Sequence, residues 1–101
     1  MESIADQLPK EQIIAELTND KLLRRTNNSS NEVYVFDNNN SPALMHEVGR
    51  VREITFRHAG GGTGKSLDID EFDLHTKDPQ KQLIVWDPER QEIIGGYRFY
   101  F

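Results

Sequence analysis

The 101-residue sequence contains no cysteine. That excludes a disulfide scaffold, a thiol nucleophile and every cysteine-based zinc or iron–sulfur site. No stretch approaches the roughly 20 apolar residues that a membrane helix requires. The opening residues, Met1 to Lys10, lack the basic region and apolar run of a signal peptide. Positive charge is also in short supply: 12 Lys and Arg face 17 Asp and Glu, for a net charge of −5 and a pI near 5.1. Sequence-independent binding of nucleic acid normally needs a basic footprint, so it is disfavoured. Apolar residues make up 36% of the chain, charged residues 29%, and the mean hydropathy is −0.70. The expectation is one small, mildly acidic, cytoplasmic domain.

What is present divides into a leading segment, 1–31, and a more patterned region, 32–101. Residues 1–26 carry a weak helical signal, with Pro9 suited to a first helical position and Ile13, Ile14 and Leu17 forming a narrow stripe. The polar run from Thr26 to Asn31 reads as a loop. Val33-Tyr34-Val35-Phe36 alternates β-branched and aromatic residues, as a strand does. Ser41-Pro42 marks a helix start with a hydroxyl cap. The helix should reach about Arg57 or His58 and stop at Gly60. Segments 82–87 and 92–101 should form an antiparallel hairpin across a four-to-five-residue connection. The apolar final strand runs to the last residue without a cap, which is the expectation for the front part of a longer protein. Alternatively, that strand serves a small non-enzymatic interaction module that recruits a partner strand, or a second copy, by edge addition.

A helix wheel places Leu44, Val48, Val51 and Thr55 at the centre of the buried face, flanked by Ile54 on one side and by Met45 and Phe56 on the other. Arg52 falls inside the second flank, whereas Arg50, Glu53 and Arg57 point away. An arginine there either snorkels to water or lines a pocket facing an anion or the acidic segment. Asp68-Ile69-Asp70-Glu71-Phe72-Asp73 lacks the glycine and distal Glu of a calcium loop. Folded as one helical turn, it puts Asp70 and Asp73 on one face. That pair could be a solvated turn, or could hold an ammonium group, arginines or a hard metal. Strand alternation groups Ile94, Gly96, Arg98 and Tyr100 on one face, so Arg98 sits among apolar neighbours. Ala59-Gly60-Gly61-Gly62-Thr63-Gly64-Lys65-Ser66 fits a relaxed phosphate-binding pattern, but it follows a helix and leads into carboxylates, so it reads as a flexible loop. Trp86 reads as core. His46, His58 and His75 lack metal-ligand spacing, and no metal is expected.

In order, Arg52-x-x-x-Phe56, Asp70-x-x-Asp73 and Gly96-Tyr97-Arg98 resemble acyl-carrier-protein-dependent N-acyltransferases of the GNAT-like superfamily. The same order appears in acyl-homoserine lactone synthases. The nearest resemblance is to bacterial proteins labelled hemolysins, related to the N-acyltransferases of ornithine-lipid and glycine-lipid synthesis. It covers residues 33–101. The resemblance implies an α+β fold, the N-terminal half of a GNAT-like domain, with an antiparallel sheet packed on an amphipathic helix. It implies direct transfer of a fatty acyl group from an acyl-carrier thioester to the amine of a small amino acid, with no other cofactor. Arg52, Phe56, Asp70, Asp73 and Arg98 would shape the substrate site. The donor-binding loop of the family lies beyond the matched region, so this chain alone is expected to be silent. The hemolysin label implies membrane lysis, and the sequence offers no lytic helix and no span for it, leaving at most peripheral contact.

Overall fold

The computed structural model describes residues 1–26, 30–74 and 77–99. The loop residues 27–29, His75, Tyr100 and Phe101 named above lie outside the described residues. The chain is α+β, as expected: α1 (Lys10–Ala15), β1 (Leu22–Arg25), β2 (Glu32–Phe36), α2 (Pro42–His58), α3 (Glu71–Leu74), β3 (Lys81–Asp87) and β4 (Glu92–Phe99). The strands form one antiparallel sheet in the order β1-β2-β3-β4.

Period-two alternation sends Tyr34 and Phe36 of β2, and Ile84 and Trp86 of β3, toward the helices. There they meet Leu44, Met45 and Val48 of α2 and Ile13 of α1 in one closed cluster. Trp86 is 4% exposed and belongs to that core. The leading segment packs onto the rest, but not as a helix through residue 26. Helix α1 ends at Ala15, Pro9 is its N-cap residue rather than its first helical one, and Leu22–Arg25 is a strand. Pairing with β2 sets that strand, through Leu22 opposite Tyr34 and Arg25 opposite Glu32. Local preference says little about it.

Helix α2 spans the expected residues and ends as the glycines predict. Gly60 takes φ +91°, and the amides of Gly60 and Gly61 return to the carbonyls of Arg57 and Phe56 at 3.0 and 2.7 Å. Its start differs from expectation. The Ser41 hydroxyl is buried and has no hydrogen-bond partner among the described residues. The cap is supplied by Glu16, whose carboxylate accepts from the amides of Ala43 at 3.1 Å and Leu44 at 2.7 Å. A carboxylate satisfies two orphan amides and complements the helix dipole, which a single hydroxyl does less well. Glu16→Ala is therefore expected to cost about 1 kcal/mol, read as a lowered urea midpoint, while Ser41→Ala changes little.

The two ends of the apolar face of α2 behave differently. Leu44 and Val48 are buried, but Val51 is half-buried and Thr55, Ile54 and Phe56 are exposed. Over its last turns the helix lines an open groove against β3 and β4. The hairpin carries the other departure. Trp86 pairs with Ile93 and Val85 with Gly95, so Ile94 is an extra residue in a β-bulge. The bulge replaces Ile94 by Ile93 on the core face, beside Gly96 and Arg98, which pair with Ile84 and Gln82.

Candidate functional site

Three elements deliver the charged residues to one place. The α3 turn is built by its own acidic spacing: Asp70 accepts from the amides of Phe72 at 3.0 Å and Asp73 at 3.2 Å, and Asp73 accepts from the amide of Asp70 at 3.2 Å. This reciprocal arrangement is a capping box, and it fixes both carboxylates on one side of the turn. The turn is pressed against α2 at Gly49. A Cβ on Gly49 would stand 2.5 Å from Ile69, and the amide of Asp68 reaches the Gly49 carbonyl at 3.0 Å.

From α2, the Arg52 guanidinium donates to Asp73 at 3.3 Å and to Gln82 at 2.6 Å. From β4, Arg98 donates to Asp70 at 2.5 Å and to Asp73 at 3.4 Å. The Gln82 amide closes the array on Asp73 Oδ1 at 2.8 Å. The structure thus brings Arg52, Asp70, Asp73 and Arg98 together, two cations and two anions. Arg52 is the pocket-lining arginine that faces the acidic segment, and it does not simply snorkel.

Exposure divides the cluster. The Asp73 side chain is 1% exposed, and Gln82 is equally sealed. Asp70 and Arg98 retain 42% and 37%. Burial pushes the Asp70 carboxyl up, but the Arg98 guanidinium and the amides of Asp73 and Phe72 outweigh it and hold it below the usual carboxylate range. Arg98 is raised in turn, first by its hydrogen bond to Asp70.

Beside the cluster runs the groove, about 380 Å³ in volume and walled by Val48, Val51, Phe56, Ile84 and Ile93, with Arg52 and Gln82 in its lining. That size falls within the range of small-ligand sites. Phe56 stands 48% exposed one turn beyond Arg52, at the groove and outside the charged cluster. Among the described residues, no group of three or more His, Asp or Glu is placed to hold a metal. No helix there is long and apolar enough to cross a membrane.

The glycine-rich loop is anchored rather than free. The Glu53 carboxylate accepts from the Thr63 hydroxyl at 2.6 Å, from the amides of Thr63 and Gly64 at 3.0 Å each, and from Arg57 at 2.5 Å. Gly62 makes this possible, because a Cβ there would lie 2.9 Å from the carboxylate. The anion seat resembling a phosphate cradle is thus filled by a side chain of the same molecule. Glu53 is fully buried, contrary to the helix-wheel expectation, and Thr63 above all, then Arg57 and the amides, overcomes burial and lowers its pKa from 4.5 to about 2. A depressed folded-state pKa contributes stability above 4.5 that is lost as pH falls toward 2. Melting temperatures across that window should fall for the wild type, and a Glu53→Gln variant, already less stable at neutral pH, should lack this component.

Sequence reasoning also missed Gln82, although its register with Ile84 and Trp86 marks it as a polar residue in a buried set.

Comparison with known proteins agrees with this architecture. Residues 51–100 match the family described as the acetyltransferase (GNAT) domain. Over 99 residues, 98% of this chain, the sequence is 56% identical to a protein of Bacteroides thetaiotaomicron named glycine N(alpha)-acyltransferase. It is 57% identical, over the same share, to a protein of that name from Phocaeicola vulgatus. The chain covers 29% and 30% of those two proteins, less than a third of their length. No solved structure matches it significantly. The antiparallel sheet packed on helices is consistent with part of a GNAT fold, and the matches support the GNAT-like acyltransferase resemblance.

Proposed function

We propose that this chain is the acceptor-side, N-terminal part of an N-acyltransferase that moves a fatty acyl group from an acyl-carrier-protein thioester to the amine of a small amino acid, in cytoplasmic lipid synthesis. The carrying observation is the half-exposed Asp70–Arg98 pair standing on buried Asp73 and Gln82 and half-buried Arg52, beside an apolar groove. A small amino acid is a zwitterion, and it needs an anion for its ammonium and a cation for its carboxylate a few ångströms apart. Asp70 and Arg98 meet that need. The names of the two relatives point to glycine as the acceptor.

In this reading Asp70 holds the ammonium, since a carboxylate with a lowered pKa is a poor base. Another group takes the proton. The freed amine attacks the thioester carbonyl, the C–N bond forms, the C–S bond breaks, and the thiol leaves with a proton. Backbone amides where strands splay stabilise the tetrahedral oxyanion. Phe56 and Arg52 shape the groove side of the site. The chain spans under a third of the relatives, and its own glycine loop is filled by Glu53. The donor's pantetheine is therefore held by the rest of the protein, and the 101 residues alone transfer nothing.

The test is an assay of the full-length protein with acyl-carrier thioesters and a panel of amino acids. Glycine should be acylated, and Asp70→Asn should lower kcat/KM for the amine roughly ten- to a hundredfold, the worth of a charged hydrogen bond. Wild-type rates in that variant would remove Asp70 from the site, and no transfer to any amine would overturn the reading. A second reading rests on β4, which lies at the edge of the described sheet with Ile94 and Tyr97 50% and 63% exposed. Such an edge accepts a partner strand. A full-length protein that captures a strand but acylates nothing would favour it.

A further inference from the structure

We infer that Gln82 is a positioning residue of the amino-acid subsite: it locks Asp73 and Arg52 so that Arg98 and Asp70 present their paired charges to the acceptor. The inference rests on the acyltransferase reading above. Gln82 is 1% exposed and stands directly across the β3–β4 ladder from Arg98, so the two side chains leave the sheet on the same face. Its oxygen accepts from Arg52 at 2.6 Å, and its nitrogen donates to Asp73 at 2.8 Å. Arg52 is donor-only and Asp73 is acceptor-only. A side chain bridging them must offer one acceptor and one donor about two ångströms apart, which is the carboxamide. The reversed amide would set donor against donor and acceptor against acceptor, so the neighbours fix its orientation. Asparagine would be one methylene short. Asp73 Oδ2, with Oδ1 pinned by Gln82, is left for Arg52, Arg98 and the Asp70 amide.

The chemistry supplies its own compensating variant. Gln82→Met keeps the volume and deletes the hydrogen bonds to Arg52 and Asp73, along with the longer one, 3.5 Å, to the Gln80 carbonyl. Gln82→Glu keeps the acceptor but sets a carboxylate against Asp73. Gln82→Glu with Asp73→Asn exchanges donor and acceptor, restoring the bridge with the same total charge. In the full-length protein each single variant should raise KM for glycine about tenfold or more, with a smaller change in kcat, because acceptor placement suffers before chemistry does. The double variant should return KM to within about threefold of wild type. Wild-type KM in both single variants would overturn the assignment. So would a double variant no better than Gln82→Glu, or lowered melting temperatures with KM unchanged in the folded fraction, which is the signature of packing alone. A wild type that acylates no amine overturns the acyltransferase reading itself, an outcome distinct from an active wild type indifferent to residue 82.

Discussion

Asp73→Ala is expected to destabilise the full-length protein by about 3 kcal/mol, at the lower end of the 3–5 kcal/mol range for breaking a buried ion pair. Four donors converge on its carboxylate: Arg52, Arg98, the Gln82 amide and the backbone amide of Asp70. Alanine leaves the Gln82 amide only its long 3.5 Å contact with the Gln80 carbonyl and removes the anion nearest Arg52, whose side chain is only 20% exposed. Arg98 is better placed, since it keeps Asp70 and can turn toward water, which is why the lower end applies. The neighbouring change makes the contrast. Asp70→Ala removes a carboxylate 42% exposed from an arginine 37% exposed, a pair of the kind that contributes about 0–1 kcal/mol, together with the cap on the Phe72 and Asp73 amides, so its cost is expected to be about 1–2 kcal/mol. Urea midpoints should therefore separate two aspartates only three residues apart, while the assay should penalise both.

Gly96→Ala is expected to cost about 3 kcal/mol, the upper end for overpacking. A Cβ there would lie 2.5 Å from the Leu83 carbonyl oxygen and 3.3 Å from Ile84 Cα. Both are backbone atoms of the adjacent strand, so no side chain can swing aside, and β4 must move off β3 just before Arg98. Gly95→Ala is the control. Its Cβ would meet nothing within 4 Å, and its effect should stay within about 0.5 kcal/mol. If the two alanine variants melt alike, close approach at residue 96 does not govern the hairpin.

The elements that announced themselves carry strong local chemistry. Ser41-Pro42 and Gly60 bound α2 closely, because proline and a left-handed glycine act on the backbone whatever surrounds them. The hairpin followed from β-branched and aromatic runs around Pro88-Glu89-Arg90-Gln91. The meeting of Arg52 with Asp70, Asp73 and Arg98 was legible for a different reason: Arg52 and Arg98 each placed a cation on a face that should be apolar, and the aspartate turn offered carboxylates to pair with them.

What stayed hidden depends on distant partners. Strand β1 has mostly exposed residues and exists through its ladder with β2. A helix wheel assumes one core, so it sends Glu53 to solvent; Glu47 falls on the Ile54 flank of the apolar face, and the wheel names no partner for its charge. The glycine loop covers the first, while Arg50 and Gln7 engage the second at 2.7–3.2 Å. The Glu16 cap is supplied from 27 residues away, which no local capping pattern reveals.

The single inserted residue at position 94 gives β4 two independent frames. Ahead of it, Ile93 answers to Trp86 and the packed interior; behind it, Gly96 and Arg98 answer to Ile84 and Gln82. In an uninterrupted strand the odd-numbered isoleucine and the even-numbered arginine could not look the same way. The joint therefore lets the hairpin's turn end and its charged end drift apart in sequence, because lengthening or trimming at the hinge position need not roll the guanidinium out of its partnership.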